Sequence, residues 1–153
     1  MADPEHRPSL SSAVCYRDPK KALKWLEEAF GFEPFMVIVG ADGELMHSEM
    51  RFGDGVVMVG NEWSPMHKSP VSIDGLNTQT VHVQVTTDID AHCERARKAG
   101  ARIAMEPETQ FYGDRTYRCV DPEGHIWTFG QTVKVVSSDD WDKAMGVTTK
   151  TRL

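Results

Sequence analysis

The feature that most restricts this chain is a pattern of segments that occurs twice. Residues 9–16 read as a short strand, and Asp18-Pro19 then opens a helix, because Asp caps free amide groups and Pro is tolerated at the first helical position. Ala22, Leu23, Leu26, Ala29 and Phe30 recur at helical spacing, and Gly31 ends the run. Extended segments follow at 33–39, 44–52 and 56–60, separated by Ala41-Asp42-Gly43 and Gly53-Asp54-Gly55, which are hairpin signals because Asp and Gly accept positive φ. From Gln79 the order begins again: a strand to Val85, a helix from about Asp88 to Ala99 ended by Gly100, and extended segments near 101–105, 115–120 and 125–129. The unit is βαβββ, and a second copy at matching spacing is stronger evidence than either copy alone.

A chain of 153 residues with 40% hydrophobic content fits one compact domain. Its expected parts are a first module at 9–60, a linker at 61–78 rich in Pro and polar residues, a second module at 79–131, and a tail at 132–153. In the tail, Ser138-Asp139-Asp140-Trp141 reads as a capped helix start, with Trp141 anchoring a short docked helix. A formal charge of −6 and the lack of a basic run argue against nucleic acid as a partner. No apolar run reaches membrane-spanning length, and Asp3, Glu5 and Pro8 stand where a signal peptide needs apolar residues, so the expected location is the cytoplasm, with no membrane partner. Cys15, Cys93 and Cys119 share no metal or redox spacing and read as buried structural thiols.

Four stretches carry a family resemblance: YRDPKKALKWLEEAFGFE from Tyr16, HSEMRFGDGVVMVG from His47, DIDAHCERARKAGA from Asp88 and YGDRTYRCVDPEGHIWTFG from Tyr112. Over residues 9–131 the chain resembles the vicinal-oxygen-chelate superfamily, the glyoxalase and bleomycin-resistance-like proteins. The resemblance implies an α+β fold of two βαβββ modules whose curved mixed sheets surround a cavity, with helices outside, and a homodimer. It also implies, for the metalloenzyme branches, one divalent-metal ligand on the first strand of each module and one on the last. Those positions fall on Ser11 and Met58 in the first module. In the second they fall on Thr128 and on Thr80, Val81 or His82. One His among Ser, Met and Thr is a poor donor set, so no metal or other cofactor is expected. A single divalent metal on His47, Glu49 and His82 is the alternative.

Alternation places Thr80, His82 and Gln84 on the face opposite Val81, Val83 and Val85, and so toward the cavity. His47 and Glu49 lie two apart on one strand face and read either as a polar cavity wall or, with His82, as metal ligands or an acid-base pair. Arg115, Tyr117 and Cys119 share a face, with Tyr117 the counterpart of His47 in the repeat. Arg115 reads equally as an anion clamp or as a partner of Asp114, Asp121 or another acid. Trp63, in the linker, is either a lid over the ligand or a packed surface residue. His6, His67 and His92 read as surface groups, and His125 as a turn stabiliser. The expected ligand site is therefore His47, Glu49, His82, Gln84, Arg115, Tyr117 and Trp63. It would serve a protein that holds a polar or anionic small molecule in a sequestering role, like the bleomycin-resistance proteins, or alternatively a lyase, isomerase or dioxygenase.

Overall fold

The computed structural model describes residues 7–153; Asp3, Glu5 and His6 lie outside the described residues. The elements run β1 (Ser12–Tyr16), α1 (Pro19–Phe30), β2 (Glu33–Val39), β3 (Leu45–Phe52), β4 (Gly55–Asn61), a 3-10 turn (Pro70–Ser72), β5 (Val81–Gln84), α2 (Ile89–Lys98), β6 (Arg102–Thr109), β7 (Asp114–Val120), β8 (Ile126–Thr132) and α3 (Ser138–Met145). They build two open four-stranded mixed sheets of identical topology, ordered β1-β4-β3-β2 and β5-β8-β7-β6. In each, the first strand runs parallel to the last and the other pairs are antiparallel.

Local chemistry explains the elements. The Asp18 carboxylate accepts from the Lys21 amide at 3.0 Å, Pro19 occupies the first helical turn, and Gly31 closes α1 at φ 74. Gly31 also serves packing, because a Cβ there would stand 2.8 Å from Arg95 Nη1. β6 extends four residues past the expected end at 105, through Pro107. Proline donates no amide, and an edge strand with an irregular register tolerates that loss. α3 departs from expectation: Ser137 rather than Ser138 is the cap, and the helix buries none of its residues. Trp141 donates to Thr149 Oγ1 at 2.7 Å within the tail itself.

One buried cluster joins the modules. Phe30 at the end of α1 packs on Trp127 and Phe129 of β8, with ring centroids 5.4 and 4.6 Å away. Arg95 of α2 donates to the last carbonyls of α1, on Glu28 at 2.7 Å and Glu27 at 2.9 Å, where unpaired acceptors and the helix dipole favour a cation. The Tyr16 hydroxyl donates to Asp121 at 2.6 Å, and His125 Nε2 to the Cys15 carbonyl at 2.7 Å. Glu123 accepts from the Arg17 and Asp18 amides and from Ser69. Together these contacts bring β1 and β5, one edge strand of each sheet, to opposite sides of one seam.

Candidate functional site

Pairing decides which side chains share a face. In the first sheet Ala13, Met58, Glu49 and Met36 form one row across four strands. In the second, His82, Thr128, Arg118 and Met105 form the corresponding row. The opposite faces carry buried Val14, Met50, Val59, Tyr117, Cys119, Trp127 and Phe129 and pack on the helices. The two rows therefore look away from the helices.

A cleft of about 660 Å³ opens along the seam between β1 and β5, lined among others by Ser11, Ala13, Val57, His82, Gln84 and Trp127. That is ample for a small organic molecule. His82 and Gln84 are exposed here, and Gly130 of β8 makes their room. A Cβ on Gly130 would meet His82 Nε2 at 3.1 Å, Thr116 Cγ2 at 3.4 Å and Gln84 Oε1 at 3.5 Å. Gln84 donates to Thr132 Oγ1 at 3.0 Å, and Thr132 donates to Asp114 at 2.7 Å, so the amide is oriented by a chain of bonds.

His47 and Glu49 stand on β3, two strands in from β1, and are not among the residues that line the cleft. Glu49 is only 2% exposed. Its Oε1 accepts from His47 Nε2 at 2.9 Å and from both terminal nitrogens of Arg7 at 3.3 Å, whereas Oε2 is buried without a hydrogen-bond partner. Burial pushes this carboxyl up, but the hydrogen bonds and charges of His47 and Arg7 outweigh it and hold the group below its ordinary range.

Arg115, Tyr117 and Trp63 stand elsewhere. Arg115 and Tyr117 do share a face, as alternation requires, but it is the helix-packed one. Arg115 grips Asp90 of α2 through two bonds of 2.9 and 2.8 Å, an acid other than the two nearby in sequence. Tyr117 is fully buried; its hydroxyl lies 2.7 Å from His92 Nδ1, and His92 Nε2 donates to the Phe30 carbonyl at 3.0 Å. Far from being a surface group, His92 is a half-buried bridge between α2, β7 and α1. Trp63 is 69% exposed, stacks on His67 at 3.9 Å, and does not line the cleft.

The outward face of β7 carries Asp114, Thr116, Arg118 and Val120, and of these Thr116 and Arg118 stand level with the expected site. Glu49 pairs with Met58, and Arg118 pairs with Thr128, so Arg118 is the counterpart of Glu49 and Thr116 that of His47. The displacement arises at the turn. Phe52 pairs with Gly55 across two residues, whereas Asp121 bonds to His125 across three, Pro122, Glu123 and Gly124. One extra residue slides β7 by one place against β3, and a one-place slide exchanges the faces.

The donors do not fit a resident divalent metal. Ser11, Met58, His82 and Thr128 supply one imidazole, two neutral hydroxyls and a thioether, where a hard or borderline cation requires carboxylates and imidazoles. His47 and Glu49 engage each other. Among the described residues, no three His, Cys, Asp or Glu side chains gather closely enough to hold an ion, so His82 does not join that pair.

Comparison with known proteins places the architecture. Residues 10–129 match the family model described as the Glyoxalase/Bleomycin resistance protein/Dioxygenase superfamily. An uncharacterized protein of Mycobacterium bovis is 34% identical over 142 residues, covering 90% of this chain and 92% of its own. The crystal structure of TioX from Micromonospora sp. ML1 is 30% identical with a TM-score of 0.66, covering 82% of this chain and 99% of that one. TnmS3, an antibiotic binding protein from Streptomyces sp. CB03234, shares the fold at 20% identity and a TM-score of 0.61, covering 82% of this chain and 99% of its own.

Proposed function

The chain belongs to the glyoxalase/bleomycin resistance protein/dioxygenase superfamily, and on that premise we propose that it binds and sequesters a small, polar organic molecule in the cleft between its modules, without a metal. The observation that carries this reading is the cleft itself: about 660 Å³ at the seam, with Trp127 and Val83 among its apolar lining and His82 and Gln84 as hydrogen-bonding groups. Arg118 lies outside the cleft lining but in the same outward row as His82; exposed and bonded to Thr128 at 3.2 Å, it takes the part first assigned to Arg115 toward an acidic oxygen of a ligand that extends along that row. Antibiotic binding by TnmS3, on the same fold, supports sequestration as the role. A homodimer belongs to the same proposal, supported by Phe35, Val37, Ile38 and Val39, exposed along the edge strand β2. So does a reducing cytoplasm, supported by three free thiols. Among the described residues no helix is long and apolar enough to cross a membrane.

A thermal-shift screen of metabolites and antibiotics, with each compound recovered and assayed for conversion, tests the proposal. The expected result is stabilisation by compounds recovered unchanged, weakened about tenfold by joint His82→Ala and Gln84→Ala through loss of two hydrogen-bonding groups. Product formation, or full stabilisation of the double variant, contradicts it.

A further inference from the structure

Glu49 is a buried carboxylate used on one side only. Three nitrogens crowd onto Oε1, yet Oε2 meets none. Buried polar atoms are nearly always paired, and a carboxylate has two oxygens that together match a planar cationic fork. Arg7 carries such a fork but misuses it: both of its terminal nitrogens lie 3.3 Å from the same oxygen, and its side chain is 56% exposed. This is a loose contact, not a matched pair. Glu49 does not itself line the cleft; in the row Ala13, Met58, Glu49 it stands two strands, or roughly 10 Å, from Ala13, which does. On the same outward face Arg51 is placed over the Phe35 ring at 4.0 Å.

We propose that the Glu49 carboxylate, with His47 beside it, is the seat for a guanidinium, amidinium or ammonium group of the bound molecule, and that Arg7 occupies this seat in the free protein. The ligand is then cationic at the end held by the first module, entering by displacing Arg7 and pairing both carboxylate oxygens. This rests on the reading of the cleft as a small-molecule site and adds to it the charge of one end of the ligand. It also gives the chain a built-in competitor that weakens binding of any cation too poor to displace it.

Benzamidine, with benzamide as its neutral isostere, tests the seat by titration against wild type, Arg7→Ala and Glu49→Gln, each first shown to unfold cooperatively. Benzamidine is expected to bind wild type more tightly than benzamide does. Removing Arg7 should tighten benzamidine about two- to fivefold, the scale of a solvent-exposed ion pair, and leave benzamide unchanged. Glu49→Gln should weaken benzamidine by about tenfold or more. Equal affinities for the two probes in the Arg7→Ala variant, or undiminished benzamidine binding by Glu49→Gln, overturns the cationic seat. If compounds from the wider screen still depend on His82 and Gln84 in that event, the cleft remains a binding site and only the seat is lost. If nothing depends on His82, the cleft reading is lost as well.

Discussion

Replacing Tyr16 with Phe tests how the modules are held in register around the seam. The Tyr16 ring is 1% exposed and sits in the core, so Phe keeps its packing and removes only the hydroxyl. That hydroxyl donates to Asp121 Oδ2 at 2.6 Å; Trp127 Nε1 donates to the same oxygen at 3.1 Å, and the Glu123 and His125 amides hold Oδ1 at 3.0 Å. Asp121 is 5% exposed, so water does not replace the lost donor. A hydrogen bond to a charged acceptor contributes about 1.5–3 kcal/mol. For a chain of this length about 2–4 °C accompanies each kcal/mol, which gives a fall in Tm of roughly 3–12 °C. Thermal unfolding followed by far-UV circular dichroism measures the fall in Tm and urea unfolding followed by tryptophan fluorescence the free energy, with the exposed Tyr112→Phe as a control expected within about 0.5 kcal/mol. A Tyr16→Phe loss no larger than that of the control refutes the view that this bond ties the first module to the second.

Other outcomes follow from the same geometry. Burial, with the nearby charge of Arg95, lowers the pKa of His92 against the opposing bond to Phe30, so the folded state binds fewer protons than the unfolded one. Its contribution is complete above the unfolded value of about 6.5 and is lost as pH falls through the lower folded value. His92→Gln should flatten the slope of stability with pH in that window; an unchanged slope counts against the assignment. Glu49 contributes in the same sense at more acid pH, with stability lost as pH falls below about 4.3, and Glu49→Gln should remove that part. Burial pushes the thiols of Cys93 and Cys119 up to about 11 and about 12, so iodoacetamide should label half-buried Cys15 first and the other two only on unfolding. Mass mapping that finds Cys119 modified early in the native protein contradicts this.

Much of this was legible in the sequence, for identifiable reasons. The two βαβββ units and the Asp18-Pro19 and Gly31 boundaries of α1 follow from local rules of capping and patterning, and the structure has them. Alternation tells which residues share a face, but not which face meets the helix. On β7 that choice depended on one additional residue in a turn, so Arg115 and Tyr117 stood in for Arg118 and Thr116. A signal was present: Cys119 and Tyr117 are apolar enough to match the Trp127 and Phe129 face, whereas Arg118 is not. The pairing of Arg7 with Glu49 links residues 42 apart, and no local pattern encodes such a contact.

Side-chain resonances of labelled histidines, followed while the strongest stabilising compound is added, locate the occupied site directly. His82 should move with saturation while His92 and His125, which bridge the modules from within, stay in place. Movement of His67 and His125, which line a separate crevice beneath the linker, with His82 still, would contradict a binding site at the β1–β5 seam.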